Sequence, residues 1–181
     1  MRSDARANRE RLLAAAEEVF GEAGADGSTE EVARRAGVGI GTVFRHFPTK
    51  RDLVEATVVR HFEQLTGQAR ELAAAPDATA ALHKLIETMV SGGATKITLV
   101  SLLFDGGGDA DAAVGAAERL REVFGGLLRR AQQAGAVRRD VSVDEVYLLI
   151  RALSQASGTK ATRRKALAVV LDGLATPAAG R

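Results

Sequence analysis

Apolar positions along the chain recur at intervals of three and four, the spacing that keeps one face of an α-helix apolar. Leu12, Leu13, Ala16, Val19, Phe20 and Ala23 form the first stripe, which predicts a helix from near Asp4 or Ala5 to Ala23, ended by Gly24. Val32, Ala33 and Ala36 form a short second stripe, and Leu53, Val54, Val58, Phe62, Leu65, Ala69 and Leu72 a long third one that runs toward Pro76. Ala81, Leu82, Leu85, Ile86, Met89 and Val90 follow before Gly92-Gly93. Residues 97–104, ITLVSLLF, suit either a strand or a buried helix by periodicity; helix is chosen, because one isolated strand would leave its edges unpaired. A stripe from Val114 to Ala131 stops at Gly135, another from Val146 to Leu153 is broken at Gly158, and Ala166, Leu167, Val170, Leu171 and Leu174 line the last segment. The expected fold class is all-α.

Cap chemistry picks out residues 28–53 as the stretch around which the rest is arranged. Ser28 with Glu31, Thr49 with Asp52, and Ser142 with Glu145 all have the capping-box spacing, so each predicts a helix start. Gly37 suits the left-handed position after a helix, which makes a sharp turn, with Val38 placed to plug it. The next helix runs from about Ile40 to His46, because Pro48 biases Phe47 away from helical geometry. Val43 and Phe47 point inward in this reading, which leaves Ile40, Gly41, Thr42, Phe44, Arg45 and His46 outward. Two short helices joined by a tight turn, with small residues at the start of the second, suit close approach to base edges and phosphates in a DNA groove.

Charge sharpens this picture only through its distribution. The 181 residues carry 25 Lys or Arg and 23 Asp or Glu, a net charge of +2 that says nothing about nucleic acid. Between Val32 and Arg51, however, there are five basic residues and no acidic one. Such a cluster supplies phosphate contacts. Lys50 and Arg51 stand in the first turn of the third helix, beside the positive end of its dipole, and a nearby phosphate would explain that cost. Residues 1–8, with Arg2 and Arg6 and little apolar content, are expected to be mobile in isolation, as an arm along DNA or a solubilising tail.

Other chemistry is poorly supplied. There is no cysteine, so disulfides and thiol nucleophiles are excluded. No apolar run approaches membrane-spanning length and no signal peptide opens the chain, so a soluble, cytoplasmic protein without a membrane partner is expected. His46, His61 and His83 lack zinc-motif spacing, and Asp105, Asp109 and Asp111 lack the pattern of a calcium loop, so no metal is expected. Gly106 to Gly108 is read as a flexible connector, since neither the lysine nor the strand of a phosphate loop accompanies it. Arg129, Arg130, Arg138 and Arg139, and likewise Arg163, Arg164 and Lys165, are read as solvated faces. No nucleophile elbow, carboxylate pair or cofactor fingerprint appears, so neither an enzyme nor a cofactor is expected.

The stretch TEEVARRAGVGIGTVFRHFPTKRDLVEA, with RANRERLLAAAEEVFGEAGADG before it, resembles the tetracycline-repressor-type (TetR) family of transcriptional regulators over about residues 6 to 60. The turn glycine, Gly41-Thr42, His46-Phe47 and Lys50 all stand at the family's spacings. The resemblance implies that the helix beginning near Ile40 is a recognition helix and that Thr42, Phe44, His46 and Lys50 contact DNA. With the outward positions and Thr29 at the preceding helix start, the candidate DNA contacts are Thr29, Ile40, Gly41, Thr42, Phe44, Arg45, His46 and Lys50. Position 44 departs from the family's usual tyrosine, and phenylalanine has no hydroxyl to offer a phosphate.

The resemblance further implies an N-terminal three-helix helix-turn-helix DNA-binding domain, residues 1–50, joined by a long helix to a helical ligand-binding and dimerisation domain, residues 51–181. A homodimer would pair through the last two helices, whose LLIRAL and LAVVLDGL are richer in Leu and Val than one stripe needs. Met89, Leu103, Phe104, Phe124, Leu128 and Tyr147 are the candidate lining of a pocket for an apolar small-molecule effector. The expected function is a dimeric repressor on a palindromic double-stranded DNA operator, released by that effector. The alternative is a helical dimerisation or scaffold module that no longer reads DNA.

Overall fold

The computed structural model describes residues 2–105 and 109–176, and among these the chain is built from helices. In order they are α1 (Arg2–Ala23), a 3-10 turn (Gly24–Asp26), α2 (Thr29–Ala36), α3 (Ile40–His46), α4 (Lys50–Ala73), α5 (Ala78–Ser91), α6 (Gly93–Asp105), α7 (Asp111–Gln133), α8 (Val143–Gln155) and α9 (Lys160–Leu174). Residues 97–104 are helical, inside α6, as the isolated-strand argument requires. Helix α1 begins at Arg2, earlier than its apolar stripe, and so takes in most of the segment expected to be mobile. The connector proposed at Gly106 to Gly108 lies outside the described residues.

The chain divides into two compact units, Met1–Glu63 with Ala94–Ala117 and Gln64–Gly93 with Glu118–Arg181. In the first, α1, α2, α3, the start of α4 and most of α6 enclose a core that includes Leu12, Phe20, Val32, Val43, Leu53, Leu99 and Leu103. The spacing of Leu12, Ala16, Val19 and Phe20 is one helical face, and all four are buried. Gly21 of α1 faces α6 so closely that an added Cβ would stand 2.5 Å from Thr95 Cγ2. The close crossing therefore depends on a residue without a side chain. Arg60 of α4 ties back to α1 through Glu10 at 3.1 Å and Glu17 at 3.0 Å, and His61 Nδ1 meets Glu17 at 2.8 Å.

The second unit packs α5 against α8 and α8 against α9, with Leu82, Leu85, Met89, Leu120, Phe124, Val146, Ile150 and Leu174 buried. Ser142 and Glu145 form the expected capping box at the start of α8. The Ser142 hydroxyl accepts from the Asp144 amide at 3.2 Å, and the Glu145 carboxylate accepts from the Ser142 amide at 2.7 Å. Gly135, at φ 75°, ends the turn after α7. Beyond it an isolated bridge, Val137 to Ala175, holds the end of α9, where Arg138 donates its amide to Leu174 O at 3.0 Å. Arg130 donates to the carbonyls of Ala73 and Ala75, so a cation closes the end of α4 where its dipole is negative.

Candidate nucleic-acid interface

The helix-turn-helix starts at Ser28, whose Oγ accepts from the Glu31 amide at 3.1 Å. The reciprocal half of the capping box is not made. Glu31 instead accepts from Arg34 at 2.7 Å and from Arg35 at 2.9 Å, because charged donors three and four residues on hold a carboxylate more strongly than a neutral amide does. Hydrogen bonds from Arg34, then Arg35, pull the Glu31 carboxyl down to about 2. Arg35 also reaches Glu22 of α1 at 2.7 Å and Glu18 at 3.7 Å, so α1 and α2 are joined by an ionic brace.

Gly37 takes the left-handed conformation, φ 68° and ψ 36°, and ends α2. Its amide donates to Arg34 O at 3.2 Å, while the Val38 amide donates to Ala33 O at 3.0 Å, the paired bonds of a Schellman turn. The chain re-enters a helix at once. α3 has Gly39 as N-cap and Phe47 as C-cap, and Val43 and Phe47 are both buried. Those two anchors orient the rest of the helix. Ile40, Gly41, Phe44 and Arg45 are exposed, and Thr42 and His46 half-buried. At Gly39 and Gly41 an added Cβ would meet nothing within 4 Å, so the start of α3 stands clear of the protein.

Of the remaining candidate contacts, Thr29 is buried, with its hydroxyl donating to Glu30 at 3.3 Å. Thr49 and Asp52 make the capping box reciprocally: Thr49 Oγ1 accepts from the Asp52 amide at 3.1 Å, and Asp52 Oδ2 accepts from the Thr49 amide at 2.9 Å. Lys50, at the start of α4, donates to Ala25 O at 2.9 Å and lies 5.4 Å from the centre of the Phe20 ring. Arg51 donates to Leu103 O and Asp109 O, both at 2.8 Å. The cost of two cations at a helix start is therefore offset inside the protein, and no phosphate is needed to explain it. Of the five basic residues counted from the sequence, four have intramolecular partners; Arg45 is the one for which the described residues supply none.

Two features of this unit escaped the sequence reading. An open cleft of about 320 Å³ runs along α1 and α4, lined by Arg9, Glu10, Asp52, Glu55, Arg60 and Glu63 among others. Its residues belong to helices far apart in sequence, so no local pattern reveals it. Lys96 of α6 lies half-buried over Phe62, 5.5 Å from the ring centre, and burial lowers its pKa. A lone cation in the apolar run of α6 was its signal.

The candidate effector residues are distributed over both units. Met89, Phe124 and Leu128 are buried in the second. Tyr147, also there, meets Phe124 edge to face at 5.1 Å and carries Arg121 5.6 Å over its ring. Its hydroxyl is enclosed and makes no hydrogen bond, and burial pushes it up to about 12. Leu103 is buried in the first unit, whereas Phe104 is 55% exposed. The described residues contain no helix long and apolar enough to cross a membrane and no group of three or more metal-ligating side chains.

Comparison with known proteins agrees with this geometry. Residues 12–57 match the family described as bacterial regulatory proteins, tetR family, and residues 77–176 match the C-terminal domain of SbtR-like transcriptional regulators. The chain is similar to the crystal structure of a TetR transcription regulatory protein from Mycobacterium vanbaalenii, with 38% identity, TM-score 0.79, and coverage of 96% of this chain and 98% of that one. It is likewise similar to a TetR transcriptional regulator from Streptomyces coelicolor, with 28% identity, TM-score 0.80, and coverage of 94% and 99%. An HTH-type transcriptional regulator of Staphylococcus aureus is 37% identical over 73 residues, a stretch that spans 36% of this chain and only 40% of that relative. Helix order, the exposed face of α3 and both matched segments lead to one conclusion: the chain belongs to the TetR family of DNA-binding, helix-turn-helix transcriptional regulators.

Proposed function

We propose that this protein is a cytoplasmic repressor that binds a palindromic operator as a homodimer and leaves it when a small, largely apolar effector binds. The observation that carries the reading is the geometry of α3: Val43 and Phe47 anchor it, Ile40, Gly41, Phe44 and Arg45 are left exposed, and Thr42 and His46 half-buried. Such a helix fits the major groove, with its first residues at base edges. Functionally, residues 1–50 read DNA and residues 51–181 pair the subunits and receive the effector.

Dimerisation through α8 and α9 is supported by Leu148 and Val169, which are 68% and 71% exposed. Large aliphatic side chains so open to water favour burial against a second copy, and a two-fold pair matches half-sites roughly 34 Å apart. The effector reading is supported by Tyr147. A buried hydroxyl without a partner forfeits a hydrogen bond, and a ligand oxygen reaching it in the interior of the second unit, near Phe124, would supply one. An effector that binds better to a dimer with mis-spaced heads shifts the population off DNA.

The test is transcription in vitro from a promoter carrying the operator, with and without the protein and a panel of apolar compounds. Repression is expected, relieved by a compound that also changes the emission of Tyr147, the only tyrosine in a chain without tryptophan. More transcript in the presence of the protein would overturn the repressor reading. Repression that no compound relieves, with tyrosine emission unmoved throughout, would count against the effector.

A further inference from the structure

We propose that Ile40 and Phe44 read the 5-methyl groups of thymine, so that the operator half-site is selected for thymines two base steps apart. The inference rests on the reading of α3 as the element that enters the major groove. Ile40 is 39% exposed and Phe44 45% exposed, although α3 already has its two inward anchors in Val43 and Phe47. The outward pair is thus left partly open to water after the helix has its anchors. Among the described residues the Phe44 ring has no aromatic or cationic neighbour, whereas the rings of Phe20, Phe47, Phe62 and Phe124 each have one.

The chemistry of the pair narrows what it recognises. Neither side chain has a donor or acceptor, so neither can discriminate between the polar edges of bases or hold a phosphate oxygen. The major groove offers one apolar group, the thymine methyl. Residues four apart on a helix stand on one face with Cβ atoms about 5–6 Å apart, a little less than two base steps of about 3.4 Å each, and side chains that diverge beyond Cβ span the difference. Arg45, adjacent to Phe44 and without an internal partner, stands beside this apolar strip to pair with backbone or guanine. Gly39 and Gly41 leave room for the approach, since neither position is occupied out to 4 Å from where a Cβ would stand.

The experiment begins with DNA selected from a random duplex pool by the full-length protein. Each thymidine of the enriched half-site is then replaced by deoxyuridine, which removes the methyl and leaves pairing intact, and affinity is measured at fixed salt. Burial of one methyl corresponds to roughly a four-fold change in affinity, so the substitution at each of two positions two base steps apart should weaken binding by about that factor. Ile40→Ala and Phe44→Ala should bind the thymidine duplex more weakly, and each should lose sensitivity at one of the two positions. Both residues are exposed, and circular dichroism of the variants checks that the helices are intact. Equal affinity for thymidine and deoxyuridine duplexes would overturn the proposal while leaving DNA reading in place, as would methyl sensitivity that persists in both variants. A pool with no enriched sequence would overturn the proposal together with the reading on which it rests.

Discussion

The guanidinium of Arg51 donates to the carbonyl of Leu103 at 2.8 Å, joining the first turn of α4 to the end of α6 across 52 residues of sequence. A second N–H reaches Asp109 O at 2.8 Å. The carbonyls at the end of a helix have no partners within it and lie at the negative end of its dipole, so a cation there satisfies both needs. Arg51→Met keeps the stem and removes these bonds. It should cost about 1 kcal/mol of stability, less than a fully buried charged bond because the site is half-open, and lower the unfolding midpoint by roughly 2–4 °C. Hydrogen exchange at the end of α6 should quicken. The salt dependence of DNA binding should not change, since Arg51 is already engaged; a shallower slope would show that it contacts phosphate instead.

Arg45 and Arg35 should behave oppositely. Arg45 has no internal partner, whereas Arg35 is held by Glu18, Glu22 and Glu31. Each phosphate contact contributes about one unit to the slope of log affinity against log salt, so Arg45→Gln should reduce the slope by about one per reading head. Arg35→Gln should leave the slope as it is and lower the thermal midpoint by loosening α1 from α2. Titration of affinity against salt for both variants separates the roles.

The same brace predicts acid sensitivity. The folded pKa of Glu31 lies below its ordinary value of 4.5, at about 2, and Glu17 is also lowered, chiefly by its hydrogen bond with His61. A depressed carboxyl stabilises the folded state above the unfolded pKa, and that contribution is lost as pH falls through the folded one. Stability should therefore decline from about pH 4.5 toward pH 2. Glu31→Gln should flatten this limb in a series of denaturant melts; an unchanged limb would show that the Arg34 and Arg35 bonds contribute nothing in solution.

At the other end of the scale stands Tyr147, raised by burial from 10 to about 12. A folded pKa above the unfolded one favours the folded state below the unfolded value, so stability should fall as pH rises from about 10 to about 12. Tyr147→Phe keeps the edge-to-face contact with Phe124 and removes an unpaired hydroxyl, so it should leave stability unchanged or raise it slightly. A loss of more than about 1 kcal/mol would mean that the hydroxyl is bonded in solution. Absorbance titration of the single tyrosine reads the ionisation directly.

Local signals in the sequence were enough for the scaffold of the reading head. Ser28, Gly37, Thr49 and Pro48 act within a few residues of themselves, and α2, α3 and the start of α4 fall where they place them. What was not legible was competition among partners. The spacing of Glu31 suits both a capping box and pairs with Arg34 and Arg35, and the stronger ionic donors took it. The basic cluster was visible, but its division into braces and one unpartnered arginine depends on Glu22, Ala25 and Leu103, which only the fold brings near. Phe104 shows the same limit: its position in an apolar run suggested the interior, and the turn of α6 leaves it exposed.

The measurement that bears most directly on the account is selection of DNA from a random pool by the purified protein, followed by titration of the enriched duplex with the wild-type protein and Thr42→Ala. The expected result is one enriched two-fold-symmetric sequence, bound with a steep salt slope and at least 1,000 times more tightly than random DNA, as specific sites are, with the preference reduced in Thr42→Ala. An unenriched pool, or a preference untouched by changes along α3, would contradict it.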